Sequence, residues 1–293
     1  MEMSVNATLM NPASSMQNLL QKYTNIHSRF MVVNGQLVHY RDEGTGFPIV
    51  CLHGAFSSLH TYNSWAKELT PQYRLVRYDL PGFGLTGANR TDDYSIQMHI
   101  DYLDEILDIL HIDQCYLVGS SFGGWVAWEY AAVRPERVAK LVLLDAAGFL
   151  DADTVPMPFL MARMPLVDKV IKIVAQRETI ELFLRQVYHN QDKVTERLID
   201  RYYDLFARTG NPDAFVRLAN QRVKDNTRRL RNIAQPTLVL WGEQDKWLPV
   251  RCADRFLHLL PNAEGIIYEN VGHVPMEEIP KRTAADLVAF LER

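Results

Sequence analysis

Cysteine is scarce in this chain: Cys51, Cys115 and Cys252 are the three present in 293 residues, with neither CxxC spacing nor an even count. That pattern argues against a disulfide framework and against a thiolate zinc site. Cys51 and Cys115 read instead as small buried strand residues. Long apolar runs are missing too, and nothing approaches the ~18 apolar residues of a membrane span. The first thirty residues hold only short apolar pieces such as Leu19-Leu20, without a basic segment ahead of an apolar core. Neither a signal peptide nor an integral membrane segment is expected, and the expected setting is cytoplasmic. Residues 1–28 read as an N-terminal extension, either loosely packed or a helix resting on the helical interval described below.

An excess of positive charge is also lacking. The net charge is -4 and the pI about 6.1, so there is no electrostatic reason to expect nucleic acid or an anionic membrane as partner. A small-molecule substrate is the better expectation. The densest basic stretch, Arg222 to Arg231, is interrupted or bounded by Asp225, Asn226 and Asn232 and reads as a solvated helix face. Glycine and proline, at 15 and 14, are too few for a disordered or fibrous chain, and 47% hydrophobic residues suit a globular protein with a substantial core.

What the chain does have is a repeated alternation of short apolar runs and helical patterns. Phe30 to Val33 and Gln36 to Tyr40 flank Asn34-Gly35, the strongest two-residue hairpin signal. After this antiparallel opening come Ile49–Leu52, Leu75–Leu80, Cys115–Val118, Leu141–Leu144, Thr237–Trp241 and Gly265–Tyr268, runs that suit strands covered on both faces. Helical periodicity lies between them, over Leu59–Leu69, Tyr94–His111, Phe122–Val133, Arg251–Leu260 and Arg282–Leu291. The fold class expected is α/β, a mostly parallel sheet with helices on both faces. From about Leu150 to Asn232 the pattern is helical only, for example Ile180–Tyr188 and Val194–Phe206. Val155-Pro156-Met157-Pro158 reads as a linker and Met164-Pro165 as a second break. Residues 29–149 and 233–293 thus form one α/β body, and 150–232 an insertion.

Gly119, Ser121 and Gly123 fit G-x-S-x-G in one frame, directly after a strand and opening a helix. A serine on so sharp a turn is tolerable only where small residues two positions to either side let strand and helix approach. Alone, the pattern could be an ordinary glycine-rich loop. Its context argues otherwise, because a serine nucleophile needs a base that is itself oriented by a third group, and two late loops offer both. Asp245 follows the run Thr237–Leu240, and His273 follows the next run within Asn270-Val271-Gly272-His273. Glu243 and Asp145 compete with Asp245 for the acid. His53 competes as base, although its place before Gly54 at a strand end suits a loop buttress better. The oxyanion formed on attack needs two aimed donors, expected from the backbone N–H of Phe122 and from the loop after His53-Gly54, with Ala55 preferred and Phe56 possible. Neither a metal nor an organic cofactor is required.

With these motifs in hand, the chain resembles the α/β-hydrolase superfamily from Phe30 to Leu291. Asp79-Leu80-Pro81-Gly82-Phe83-Gly84 is similar to that family's D-x-P-G-x-G loop, and Gly272-His273-Val274-Pro275 to its histidine loop. The resemblance implies an eight-stranded sheet with a helical cap inserted after the sixth strand, over residues 150–232. It also narrows the activity. Dehalogenases and epoxide hydrolases of this fold generally place Asp where this chain has Ser121. The loop His53-Gly54-Ala55-Phe56-Ser57-Ser58 lacks both the HGGG run of one esterase class and the Gly-Pro loop of typical meta-cleavage carbon-carbon hydrolases. The expectation is a carboxylic ester hydrolase with a small-molecule ester substrate. Its alternatives are a carbon-carbon hydrolase and a hydrolase-like receptor that binds without turnover.

Overall fold

The structure, a computed structural model, describes residues 16–151, 154–164 and 175–293. Eight strands form one sheet: β1 (Ser28–Val33), β2 (Gln36–Glu43), β3 (Pro48–Leu52), β4 (Arg74–Tyr78), β5 (Cys115–Ser120), β6 (Val138–Leu144), β7 (Thr237–Gly242) and β8 (Ala263–Tyr268). Their order is β1-β2-β4-β3-β5-β6-β7-β8. The pairs β1–β2 and β2–β4 are antiparallel and the rest parallel. Asn34 and Gly35 both adopt positive φ, 48° and 73°, the conformation a two-residue hairpin turn requires.

The apolar runs of β3 to β7 are continuous because these inner strands feed two cores. On β7, Val239 and Trp241 pack with the helices Ile96–Ile109, Phe122–Val133 and Arg251–Leu259 on one face. Leu238 and Leu240 pack with the helices Asn63–Leu69 and Pro280–Leu291 on the other. The two-residue side-chain period divides one sequence run between two layers. Cys51 and Cys115 lie buried on β3 and β5, and Cys252 is buried on a helix; all three are free thiols.

Between β6 and β7 the described residues form helices and no strand: Met157–Ala162, Arg177–Val187, Glu196–Phe206 and Asn211–Ala219, with short 3-10 turns. Three local expectations change. The Val155–Pro158 linker ends early, since a helix begins at Met157 with Pro158 in its first turn, where a missing N–H costs nothing. Arg222–Arg231 is not a helix face: Thr227–Asn232 is a 3-10 turn, and Arg229 pairs with buried Glu129 at 3.0 Å. Leu59–Leu69 divides into a 3-10 turn, Leu59–Tyr62, and the helix Asn63–Leu69. Pro165 lies outside the described residues.

Ahead of the sheet, Met16–Tyr23 is a helix with Leu19 and Tyr23 buried. Tyr23 Oη donates to Asp204 at 2.6 Å, tying this helix to Glu196–Phe206. No helix among the described residues is long and apolar enough to cross a membrane.

Candidate active site

The strand order reverses direction between β3 and β5, and at such a switch point the loops at the carboxyl ends of both strands open a crevice. His53-Gly54 leaves β3 there, and Ser121 leaves β5. Ser121 sits at φ 52°, ψ −119°, a conformation that costs a non-glycine residue roughly 1–3 kcal/mol. Its backbone is locked from both sides, with Ser121 N–H donating to Leu144 O at 3.0 Å and Ser121 O accepting from Trp125 and Ala147 at 3.1 and 3.0 Å. The flanking glycines make the turn possible. A Cβ on Gly119 would meet Gly124 Cα at 2.7 Å, and one on Gly123 would meet the His53 carbonyl oxygen at 2.5 Å.

Gly54 stands directly against the serine, where a Cβ would lie 3.0 Å from Ser121 Cβ and 3.5 Å from its Oγ. Ala55 lines the same pocket as Ser121, and Phe122 opens the helix behind it. His53 is fully buried and forms no part of that pocket's lining. Its Nδ1–H donates to Gly54 O at 2.7 Å while Nε2 accepts Leu80 N–H at 2.9 Å, and burial lowers its pKa, so the ring is a neutral brace under the loop. The Asp79–Gly84 loop closes from the same side, because Asp79 accepts N–H bonds from Leu59 and Leu85, both at 2.8 Å.

Across the pocket stands His273. Its Nδ1 contacts Asp245 Oδ2 at 2.6 Å, and its Nε2 is buried without a partner among the described residues. Asp245 Oδ1 accepts from Trp247 and Leu248 N–H at 2.7 and 3.0 Å, which fixes the carboxylate plane. Of the rival acids, Glu243 is exposed and bonded to Gln244, away from the histidine. Asp145 is buried, and its ligand atom lies within 4.8 Å of those of Asp245 and His273. Burial first, then the charge of Asp245, hold the Asp145 carboxyl well above the usual carboxylate range. A neutral acid is a poor cation ligand, so this trio makes a weak metal site.

Several partners carried no signal in the sequence. The N–H of His273 donates to Val187 O at 2.7 Å, so a helix between β6 and β7 holds the histidine loop. Glu277 accepts from Thr61 at 2.6 Å, Tyr188 at 2.9 Å, Tyr202 at 2.5 Å and Arg201 at 2.5 Å, a second tie between those regions. Phe56 adopts φ 62° and sets its ring 4.1 Å from that of Phe215 and 4.9 Å from that of Phe206. These contacts join residues far apart in sequence, which local patterns cannot reveal.

Two clefts meet at Ser121. The tighter, about 40 Å³, also holds His273 and is walled by Phe56, Ile180, Phe183, Leu184, Val187 and Trp247, with Ser57, Thr61, Ser120 and Tyr202 among its polar lining residues. The wider, about 380 Å³, runs past Trp125, Phe149, Phe159 and Leu218 to a margin bearing Arg163, Arg222 and Lys224.

The model of the α/β hydrolase fold family matches residues 48–280. This chain belongs to the α/β-hydrolase family. The hydrolase is 30% identical to an uncharacterized Bacillus subtilis hydrolase, YugF, over 90% of this chain and 97% of that one. It is 29% identical to the 2-hydroxy-6-oxononadienedioate/2-hydroxy-6-oxononatrienedioate hydrolase of Paraburkholderia phymatum, over 87% and 90% of the two chains. Among solved structures, a bacterial membrane phospholipase A described as a virulence factor superposes with a TM-score of 0.78 at 28% identity, over 90% of this chain and 85% of that one.

Proposed function

We propose that this serine hydrolase cleaves carboxylic esters through an acyl-enzyme. Ser121 Oγ attacks the carbonyl carbon as His273 Nε2 takes its proton. The backbone N–H groups of Phe122 and Ala55 stabilise the oxyanion, and Asp245 steadies the imidazolium. The imidazolium protonates the departing alcohol. Water then enters, is deprotonated by the same ring, and releases the acid while Ser121 regains its proton. Residues 150–232 act as the cap that walls both clefts. The substrate is a small molecule and no cofactor takes part.

One observation carries the ester reading: among the described residues the tight cleft at Ser121 is walled mainly by apolar side chains with His273 as its only potentially cationic group, and the wide cleft carries its basic residues at its margin. An uncharged ester can place its acyl and alcohol parts on either side of Ser121 without burying a charge. The Paraburkholderia phymatum relative favours a second reading, carbon-carbon hydrolysis. A dienedioate brings two carboxylates, however, and although the margin of the wide cleft could meet one, a carboxylate placed in the tight cleft would have no Lys or Arg among the described lining residues and would cost several kcal/mol. The deciding experiment assays p-nitrophenyl esters of graded acyl length against a meta-cleavage dienoate. Ester turnover exceeding dienoate turnover in kcat/KM supports the proposal, and the reverse order overturns it.

A further inference from the structure

Behind the histidine lies a second acid that the mechanism does not use. Asp145 directly follows β6, with φ 42° and no solvent exposure. Its own N–H donates to Leu240 O at 3.0 Å, and its Oδ1 accepts the N–H of Gly242 at 2.9 Å, so both its backbone and one carboxyl oxygen are pinned to β7. Its Oδ2 is buried and receives no donor among the described residues. Asp245, within 4.8 Å, has three donors for its two oxygens: Trp247 N–H, Leu248 N–H and His273 Nδ1–H.

Two buried carboxylates this close do not both stay ionised, because each raises the other's cost of charge. The one with more donors keeps the charge, which here is Asp245. The other groups facing Asp145 supply no donor for Oδ2. Glu278 is occupied by the N–H groups of Gly272, His189 and Asn190, and the Tyr268 hydroxyl donates to Asp286. A proton on Asp145 Oδ2 removes the orphan, since a carboxylic acid is a donor and Asp245 is the acceptor at hand.

We infer that Asp145 is a positioning residue, a neutral carboxylic acid that donates from Oδ2 to the Asp245 carboxylate and so holds the oxygen that receives His273 Nδ1–H. The inference rests on the reading of Asp245 and His273 as partners of Ser121. Burial, the Asp245 charge and the shared hydrogen bond all favour the protonated form of Asp145, and the single Gly242 N–H opposes them without prevailing.

The test compares two substitutions that both tolerate positive φ. In Asp145→Asn the amide oxygen accepts from Gly242 and the amide NH2 donates to Asp245, as the acid does. In Asp145→Gly both bonds are gone. Ester kcat/KM should survive in Asp145→Asn within about threefold and fall about tenfold or more in Asp145→Gly, by analogy with the scale on which the partners that orient a metal-bound histidine act. Equal large losses in both variants would overturn the donor role.

A second readout is independent of turnover. A group whose folded pKa is raised stabilises the fold fully below its unfolded pKa and loses that contribution as pH climbs toward the folded value. The asparagine variant does not titrate there. Its Tm should therefore rise relative to wild type as pH increases from the ordinary carboxylate range through neutrality. A Tm difference that stays constant with pH would mean Asp145 is ionised in the fold and would overturn the inference. Should neither protein hydrolyse any ester, the proposed function fails while the Tm measurement still judges the protonation state.

Discussion

Two regions of the molecule meet at Ser121 and contribute different things. From the carboxyl ends of β3, β5, β7 and β8 come Gly54, the strained serine, the Asp245 carboxylate and the His273 ring. From the helices between β6 and β7 come Ile180, Phe183, Leu184 and Val187 on the tight side and Phe159 and Leu218 on the wide side, with the Tyr202 hydroxyl as the polar exception in the tight cleft. Reacting groups must be held in near-attack geometry, and loops springing from a buried parallel ladder are stiff enough to do so. A wall needs only shape, which packed helices supply and single substitutions can change. If this division is right, substitutions at the strand ends change rate across all substrates, whereas substitutions in the helices reorder substrates.

The strongest way to break that comparison is Ser121→Ala. Loss of the nucleophile costs on the order of 10⁶ in kcat in a serine hydrolase whose other groups remain. The expected outcome is loss of turnover for every ester, with an unchanged far-UV spectrum; a variant retaining about a tenth of wild-type kcat would remove Ser121 from its proposed role. Next comes Asp245→Asn. The amide keeps the shape but favours the wrong imidazole tautomer, a change worth roughly 10⁴ in kcat in a serine protease. Uniform loss across acyl lengths is expected, and a loss confined to some lengths would place Asp245 among the walls instead.

Legibility in the sequence follows the same division. The eight apolar runs, the hairpin at Asn34-Gly35 and the Gly119–Gly123 turn are set by local rules, so the sheet is legible in the sequence. Ser121, Asp245 and His273 stand out in the sequence as candidates because each lies in the loop or turn that follows such a run. The helical interval announced its existence but not its packing. Nothing around Val187 says that its carbonyl holds His273, and nothing around Tyr202 says that its hydroxyl meets Glu277. The wide cleft was equally hidden, since its wall gathers Tyr94, Trp125, Leu218 and Leu248 from distant stretches.

A smaller effect, different in kind, is expected from Ile180→Ala. Ile180 is 2% exposed and walls the tight cleft, so its truncation leaves space for further methylenes of the substrate's acyl or alcohol part. One methylene in an apolar pocket is worth about 1–3 kcal/mol. The ratio of kcat/KM for longer over shorter chains should rise about tenfold or more. Stability should fall by about 2–5 kcal/mol, so the assay belongs well below the variant's Tm. An unchanged chain-length profile from a folded sample would mean that the tight cleft does not hold the variable part of the substrate.

The smallest expected effect is at the margin of the wide cleft, and it separates the two reactions as well as the two regions. Arg222 lies on an exposed stretch beside Lys224, both lining that cleft, where a charge interacts through water and is worth about 0–1 kcal/mol. A neutral ester has no use for it. Arg222→Gln should leave ester kcat/KM within about twofold of wild type and insensitive to salt. A substrate carrying carboxylates differs, because its anionic end would be drawn to Arg163, Arg222 and Lys224, and the same variant would then raise KM with a marked salt dependence. Measuring both substrates on one preparation therefore decides whether the basic margin is a solvated border of the cap or the place where an anionic substrate is held. A large loss on the neutral ester would contradict both and move Arg222 from the border into the site itself.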